Sequence, residues 1–128
     1  MPRSFLVVED HPGNLEYVLH VLKSFGVTLW IAATEDEAIE LARTQRPDLI
    51  LMDIRLAAGD GRQAARRLKG EPETARIPVL AVTALALDGD RELCLAAGCD
   101  DYLSKPFTPQ QLRTKIAELL GTTHGLAS

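Results

Sequence analysis

The chain has 128 residues, 46% hydrophobic and 25% charged, the composition of one globular domain able to bury a core without staples. A net charge of -4, with only the local Arg66, Arg67 and Lys69 reading as a solvated basic helix face, argues against direct nucleic-acid binding, which needs a clustered basic surface. Cys94 and Cys99 lack metal-ligand spacing with the three histidines, no apolar run is long enough for a bilayer, and the start shows no signal-peptide pattern, so a cytoplasmic protein without membrane contact is expected.

Short apolar runs alternate with amphipathic stretches along the chain. The first run, Phe5 to Val8, reads as a strand, and the stretch after it places Asn14, Tyr17, Val18, Val21, Leu22 and Phe25 at helical spacing, with Gly26 as the stop. Val27 to Ile31 is the second strand; Thr34, with Glu37 three residues on, caps a second helix that ends before Pro47. Leu49 to Met52 forms the third strand, followed by a helix from about Gly61 to Lys69, with Gly70 and Pro72 beyond it. Pro78 to Val82 is the fourth strand, and a helix from roughly Asp88 to Ala97 stops at Gly98. The fifth strand, Asp101 to Leu103, leads to a last helix that begins near Thr108 with Pro109 at its first position and turns Leu112, Ile116, Leu119 and Leu120 inward. Strands too continuously apolar to have a wet face, separated by helices, demand a parallel sheet covered on both sides, the doubly wound α/β class.

In such sheets the functional crevice lies beyond the carboxyl ends of the strands. The segment DLILMDIRL shows why that edge matters, because four side chains suited to an interior, Leu49 to Met52, run directly into the charged Asp53. Strand one delivers Glu9 and Asp10 to the same edge, strand four Thr83, and strand five is followed by Ser104, Lys105 and Pro106. Crowded carboxylates raise one another's pKa unless a cation lies among them, and hard oxygen ligands with room for water suit Mg²⁺. Lys105 adds a point charge for an oxyanion and Thr83 a hydroxyl donor. With neither a histidine nor a serine nucleophile nearby, the set fits a carboxylate that accepts a phosphoryl group, with Asp53 as nucleophile. Taken singly, each residue has an ordinary reading as loop, cap, strand or surface residue, and only the conjunction carries chemistry.

With VVEDH at the first strand end, LILMDIRL with Gly61 eight residues after the aspartate, AVTA at strand four and DYLSKPF at strand five, the chain resembles the receiver domain of two-component response regulators. Among receivers it is most similar to the stand-alone, single-domain DivK cell-cycle type. The resemblance implies a flavodoxin-like (CheY-like) sheet of five parallel strands in the order 2-1-3-4-5 with five helices, occupying residues 1–121 and followed by a flexible tail over 122–128. It implies that Asp53 is phosphorylated by a histidine kinase or a histidine phosphotransfer protein, in a Mg²⁺-dependent reaction. Asp10, Asp53 and the backbone carbonyl of Arg55 would ligate the ion directly, and Glu9 through water. Thr83 and Lys105 would hold the phosphoryl oxygens, Tyr102 would swing inward on activation, and Lys105-Pro106 would be a cis peptide. A downstream protein would meet the face made by helix four, strand five and helix five. Such a chain is a monomer or weak dimer and a phosphoacceptor that promotes its own phosphorylation and dephosphorylation, not a conventional enzyme.

The pattern departs from the family at Ala57, where most receivers have proline, and Arg55 and Leu85 occupy positions resembling those that tune phosphoryl lifetime. Leu15 and Leu19 widen the apolar arc of helix one toward the crevice, which suggests a docking patch for the phosphohistidine-bearing partner; the plainer reading is core edge. Cys94 and Cys99 read as small hydrophobes, His11 as a loop histidine beside the acidic pair and His20 as helix surface, while His124 falls in the tail. Three alternatives stand beside this reading. A receiver belonging to a larger hybrid kinase or multidomain regulator would share every motif. A small-molecule phosphotransferase working through an aspartyl-phosphate would need Asp-x-Asp where Asp53 is followed by Ile54 and Arg55, and a flavin carrier would need a glycine- and hydroxyl-rich loop where EDHPGN stands.

Overall fold

From Ser4 onward, strands alternate with helices that each offer one apolar stripe; the inner strands are buried on both faces, whereas the edge strand Thr28–Ala32 leaves Ile31 exposed, against the expectation that no strand has a wet face. The computed structural model describes residues 3–56, 59–83 and 89–124, with side chains to Gly121. In chain order the elements are β1 (Ser4–Val8), α1 (Pro12–Leu22), a 3-10 turn (Lys23–Phe25), β2 (Thr28–Ala32), α2 (Glu35–Gln45), β3 (Leu49–Asp53), β4 (Arg55–Leu56), β5 (Gly59–Asp60), α3 (Gly61–Lys69), β6 (Val79–Thr83), α4 (Asp90–Ala96), β7 (Asp101–Ser104) and α5 (Pro109–His124). The main sheet is parallel throughout in the order β2-β1-β3-β6-β7, the expected order once the short β4-β5 hairpin is set aside.

Alternation along the strands divides the core into two layers. Phe5, Val7, Leu49, Leu51, Leu80 and Val82 face α1 and α5, where they meet Val18, Val21, Leu22, Leu112, Ile116 and Leu120. Leu6, Val8, Ile50, Met52, Val79 and Ala81 face α2, α3 and α4, against Ile39, Ala42, Ala65, Leu68 and Cys94. Every residue of β3 and β6 is buried, as a central parallel strand requires, and each large apolar side chain there contributes roughly 1.5–3 kcal/mol. The effect is to hold the C-terminal end of β3 rigidly between its neighbours, with Asp53 in register with Val82.

Several local details differ from the sequence expectation. Helix α1 starts at Pro12, because the His11 imidazole caps it by accepting from the Asn14 amide at 3.3 Å, so His11 is a cap and not a free loop residue. The helix passes into the 3-10 turn before Gly26 closes it at φ 64°. Helix α4 begins at Asp90 among the described residues, Asp88 lying outside them, and α5 continues to His124, past the point where a tail was expected; residues 125–128 lie outside the described set. Lys69 is not a free surface lysine. Its ammonium donates to the carbonyls of Ala75 and Ile77 at 3.2 and 2.8 Å and to Asp100 at 2.9 Å, because the end of α3 packs beside the loops that lead into β6 and β7. Arg67 likewise bridges to Glu35 and Asp36 of α2 at 2.7 and 3.0 Å.

The hairpin was not foreseen from the sequence. Arg55 pairs with Asp60 and Leu56 with Gly59, turning the chain from the end of β3 directly into α3, where Asp60 caps the helix by accepting from the Arg62 amide at 2.9 Å. Gly61 is required at the junction. Its amide donates to the Ile54 carbonyl at 3.0 Å, and a Cβ there would meet the Asp53 carbonyl oxygen and stand 2.7 Å from the Ile54 Cα, both backbone atoms unable to give way. Gly61→Ala is therefore expected to cost more than about 2 kcal/mol in urea unfolding, with the end of β3 displaced. An unchanged midpoint would contradict this close approach.

Candidate functional site

Four strand ends converge at the carboxyl edge of the sheet. Glu9 follows β1, Asp53 ends β3, Thr83 ends β6 and Lys105 follows β7, and the first three side chains are buried, at 4%, 7% and 1% exposure. The carboxylates of Glu9, Asp10 and Asp53 offer oxygen atoms within 4.8 Å of one another. Lys105 reaches across from β7, with its ammonium 3.1 Å from Glu9 Oε1 and 3.7 Å from Asp53 Oδ2. Backbone amides complete the arrangement: Arg55 donates to Asp53 Oδ1 at 3.1 Å and His11 to Glu9 Oε2 at 3.1 Å. Among the described residues, every buried side-chain nitrogen or oxygen has a hydrogen-bond partner.

The electrostatic balance is still unfavourable to a second ionised carboxylate. Burial is the main cause that pushes the Asp53 carboxyl up, to about 7, and the neighbouring Glu9 adds to it by a shared hydrogen bond and by like charge. The Arg55 amide and the Lys105 ammonium pull in the opposite direction without overcoming these effects. One ammonium among three carboxylates leaves a surplus of negative charge in a confined, oxygen-lined crevice. Hard oxygen donors with an open side are the chemistry of a divalent cation site, so the residues fit Mg²⁺.

Thr83 and Lys105 are tied through the backbone as well, since the Lys105 amide donates to the Thr83 carbonyl at 2.8 Å across the β6-β7 pair. The peptide bond between Lys105 and Pro106 is cis. Tyr102 lies half-buried on β7, and its hydroxyl donates to Asp90 at the start of α4, 3.2 Å away. Burial and Asp90 together raise the phenol pKa. Leu15 and Leu19 are half-buried against the α1/α5 core layer, whereas Tyr17 of the same helix is 39% exposed. Arg55 projects from the hairpin and is exposed, while Ala57 and Leu85 lie outside the described residues. Sequence reasoning did not find three contacts: the Lys105–Glu9 ion pair, the Tyr102–Asp90 bond, and the bond from the Tyr17 hydroxyl to the Phe107 carbonyl. Nothing in local spacing announces them, because each joins two different elements, 96, 12 and 90 residues apart in the chain respectively.

Residues 5–117 match the response regulator receiver domain family. The chain belongs to that family. As a receiver it is 39% identical over 121 residues to the polar-differentiation response regulator DivK of Brucella anthropi, covering 94% of this chain and 98% of the relative, and 37% identical to DivK of Brucella ovis over the same length. The receiver domain of a sensor histidine kinase from Pseudomonas aeruginosa PAO1, solved with a magnesium ion coordinated in its active site cleft, superposes with a TM-score of 0.87 at 40% identity, covering 94% of this chain and 99% of that one. A CheY-like receiver from Methanospirillum hungatei superposes at 0.88 with 26% identity and 98% coverage of each chain. This receiver has the flavodoxin-like fold of the family, and among its described residues no helix is long and apolar enough to cross a membrane.

The raised Asp53 pKa has a defined consequence for stability in the absence of divalent ions. The carboxyl stays protonated in the folded chain to about pH 7 but ionises near 3.8 when unfolded, so the unfolded state binds fewer protons between those values. The contribution of this group to stability is then fully present below about pH 4 and is lost as pH rises through 7. Urea unfolding in chelator at successive pH values should show this decline, and Asp53→Asn should flatten it. A wild-type profile as flat as the variant's would rule the burial effect out.

Proposed function

We propose that this receiver is a phosphoacceptor switch in which Asp53 takes a phosphoryl group from a phosphohistidine on a histidine kinase or a histidine phosphotransfer protein. The observation that carries the reading is the buried Asp53 carboxyl at the end of β3, facing Glu9, Asp10 and the Lys105 ammonium. In the step, an Asp53 oxygen forms a bond to phosphorus as the donor's nitrogen–phosphorus bond breaks, and the imidazole nitrogen keeps the electron pair and takes up a proton. Asp10, Asp53 and the Arg55 carbonyl would hold Mg²⁺ directly, with Glu9 acting through water. The ion would offset charge on the transferring oxygens. Lys105 and Thr83 would each hold a phosphoryl oxygen, and pairing of Lys105 with the phosphoryl group would draw its ammonium from Glu9.

Moving that charge alters what Thr83 and Tyr102 face. Tyr102 would leave Asp90 and turn inward, shifting the population of the surface built by α4, β7 and α5, where a downstream protein binds. The exposed Arg55 side chain at the rim is placed to influence attack by water and so the lifetime of the phosphoryl group. We assign the switch to residues 1–121 and to the cytoplasm, acting as a monomer or weak dimer, with its turnover limited to its own phosphorylation and dephosphorylation. The likeness to DivK supports the response-regulator reading, and the likeness to a kinase receiver solved with magnesium in its cleft supports a cation at this site.

Incubation with acetyl phosphate and Mg²⁺, followed by intact mass, tests the reading. Wild type should gain one phosphoryl group, and both Asp53→Asn and wild type in chelator should gain none. An unmodified wild type, or an adduct that persists in Asp53→Asn, would defeat the assignment. Leu15 and Leu19 remain candidates for partner docking despite their half-burial, because their outer edges lie along the helix that flanks the crevice. Leu15→Glu and Leu19→Glu should slow transfer from a phosphohistidine protein about tenfold or more while sparing uptake from acetyl phosphate. Equal slowing from both donors would assign these leucines to the core alone.

A further inference from the structure

Lys105 stands on a flexible four-carbon stem, so where its ammonium rests depends on how firmly its backbone is held. Upstream the hold is clear, since the Lys105 amide donates to the Thr83 carbonyl at 2.8 Å. Farther downstream, Thr108 and Gln111 exchange hydrogen bonds at 2.8 and 3.1 Å, but these close the first turn of α5 and do not reach the crevice. Between the two lies Phe107. Its ring is buried, and its carbonyl accepts a hydrogen bond of 2.8 Å from the Tyr17 hydroxyl on α1, 90 residues earlier in the chain. The two rings also meet, with centroids 5.7 Å apart and planes at 51°.

Tyr17 is 39% exposed, so burial alone does not fix its ring, and the hydroxyl bond sets its orientation. Beside it a groove of about 660 Å³ is lined by Asn14, Tyr17, Val18, Lys105, Pro106 and Phe107. That open space gives the loop room to shift toward α1 once the bond is removed. We propose that Tyr17 is a positioning residue for phosphoryl transfer: by holding the Phe107 carbonyl it fixes the loop that carries Lys105 over Asp53. The inference rests on the phosphoacceptor reading given above and assigns it a part supplied by α1. Tyr17 touches none of the reacting atoms and acts only through Lys105.

A double-mutant cycle in the full chain separates this role from ordinary packing. Uptake from acetyl phosphate with Mg²⁺ is followed by intact mass in wild type, Tyr17→Phe, Lys105→Ala and the double variant. Tyr17→Phe keeps the ring contact and loses only the hydroxyl. It should slow uptake about fivefold, the scale of one lost hydrogen bond, lower the thermal midpoint by only about 3–5 °C, and leave the Mg²⁺ dissociation constant unchanged. In the Lys105→Ala background the same change should have no further effect. Where uptake by Lys105→Ala is too slow to follow, the cycle is read on the dissociation constant for beryllium fluoride in the presence of Mg²⁺. Wild-type uptake by Tyr17→Phe, or an equal loss in both backgrounds, overturns the positioning role while leaving the phosphoacceptor reading intact. Failure of the wild type itself to take up a phosphoryl group removes both.

Discussion

A carboxylate buried at the end of a core strand is the constraint around which this receiver is arranged. Asp53 leaves water because β3 is covered on both faces, and an ion so placed costs several kcal/mol, roughly, unless partners compensate. Partial compensation comes from the Lys105 ammonium at 3.7 Å and the Arg55 amide at 3.1 Å, while the Glu9 carboxylate adds to the cost and, with Asp10, forms an oxygen cluster that suits a cation. The protein alone leaves this balance incomplete. A bound cation or phosphoryl group would change that balance, and in the proposed switch the change would reach Thr83 and Lys105, whose backbones are joined by a hydrogen bond.

The surrounding fold works to keep the charges from escaping the constraint. Two apolar layers clamp β1, β3 and β6, so Asp53 cannot reach solvent by moving its strand. The hairpin and the glycine at its end bring α3 close against the Asp53 carbonyl, closing a second exit. On the opposite side the loop after β7 is held by β6 through Lys105 and by α1 through Phe107. The acceptor is buried, whereas Tyr102 is half-buried and its hydroxyl bonds to Asp90 at 3.2 Å in a partly exposed setting. That distribution suits a switch, with a fixed chemical centre and a responsive rim.

Much of this was legible in the sequence because the informative features are periodic or terminal. Continuous apolar runs ending in Asp53 and Thr83 announced central parallel strands, and Thr34 with Glu37 announced the start of α2, where the Glu37 amide now donates to Thr34 at 3.1 Å. Convergence of the strand ends followed from topology alone. What stayed hidden was either non-local or atypical. His11 caps α1 with an imidazole nitrogen, a residue rarely expected there, and Lys69 is drawn into carbonyls supplied by loops on which the pattern is silent. The β4-β5 hairpin spans too few residues to show alternation. The Tyr17 bond to Phe107 joins a residue of the first helix's apolar stripe to one known only as the end of the DYLSKPF segment.

Burial and Glu9 keep the Asp53 carboxyl from ionising, and a cation beside it would release it to ionise. Carbon-13 NMR of the labelled Asp53 side chain, titrated with and without Mg²⁺, measures this most directly. A titration near pH 7 in chelator that falls below about 5 with saturating Mg²⁺ is the predicted result. A midpoint near 4 in chelator, unmoved by Mg²⁺, would contradict it.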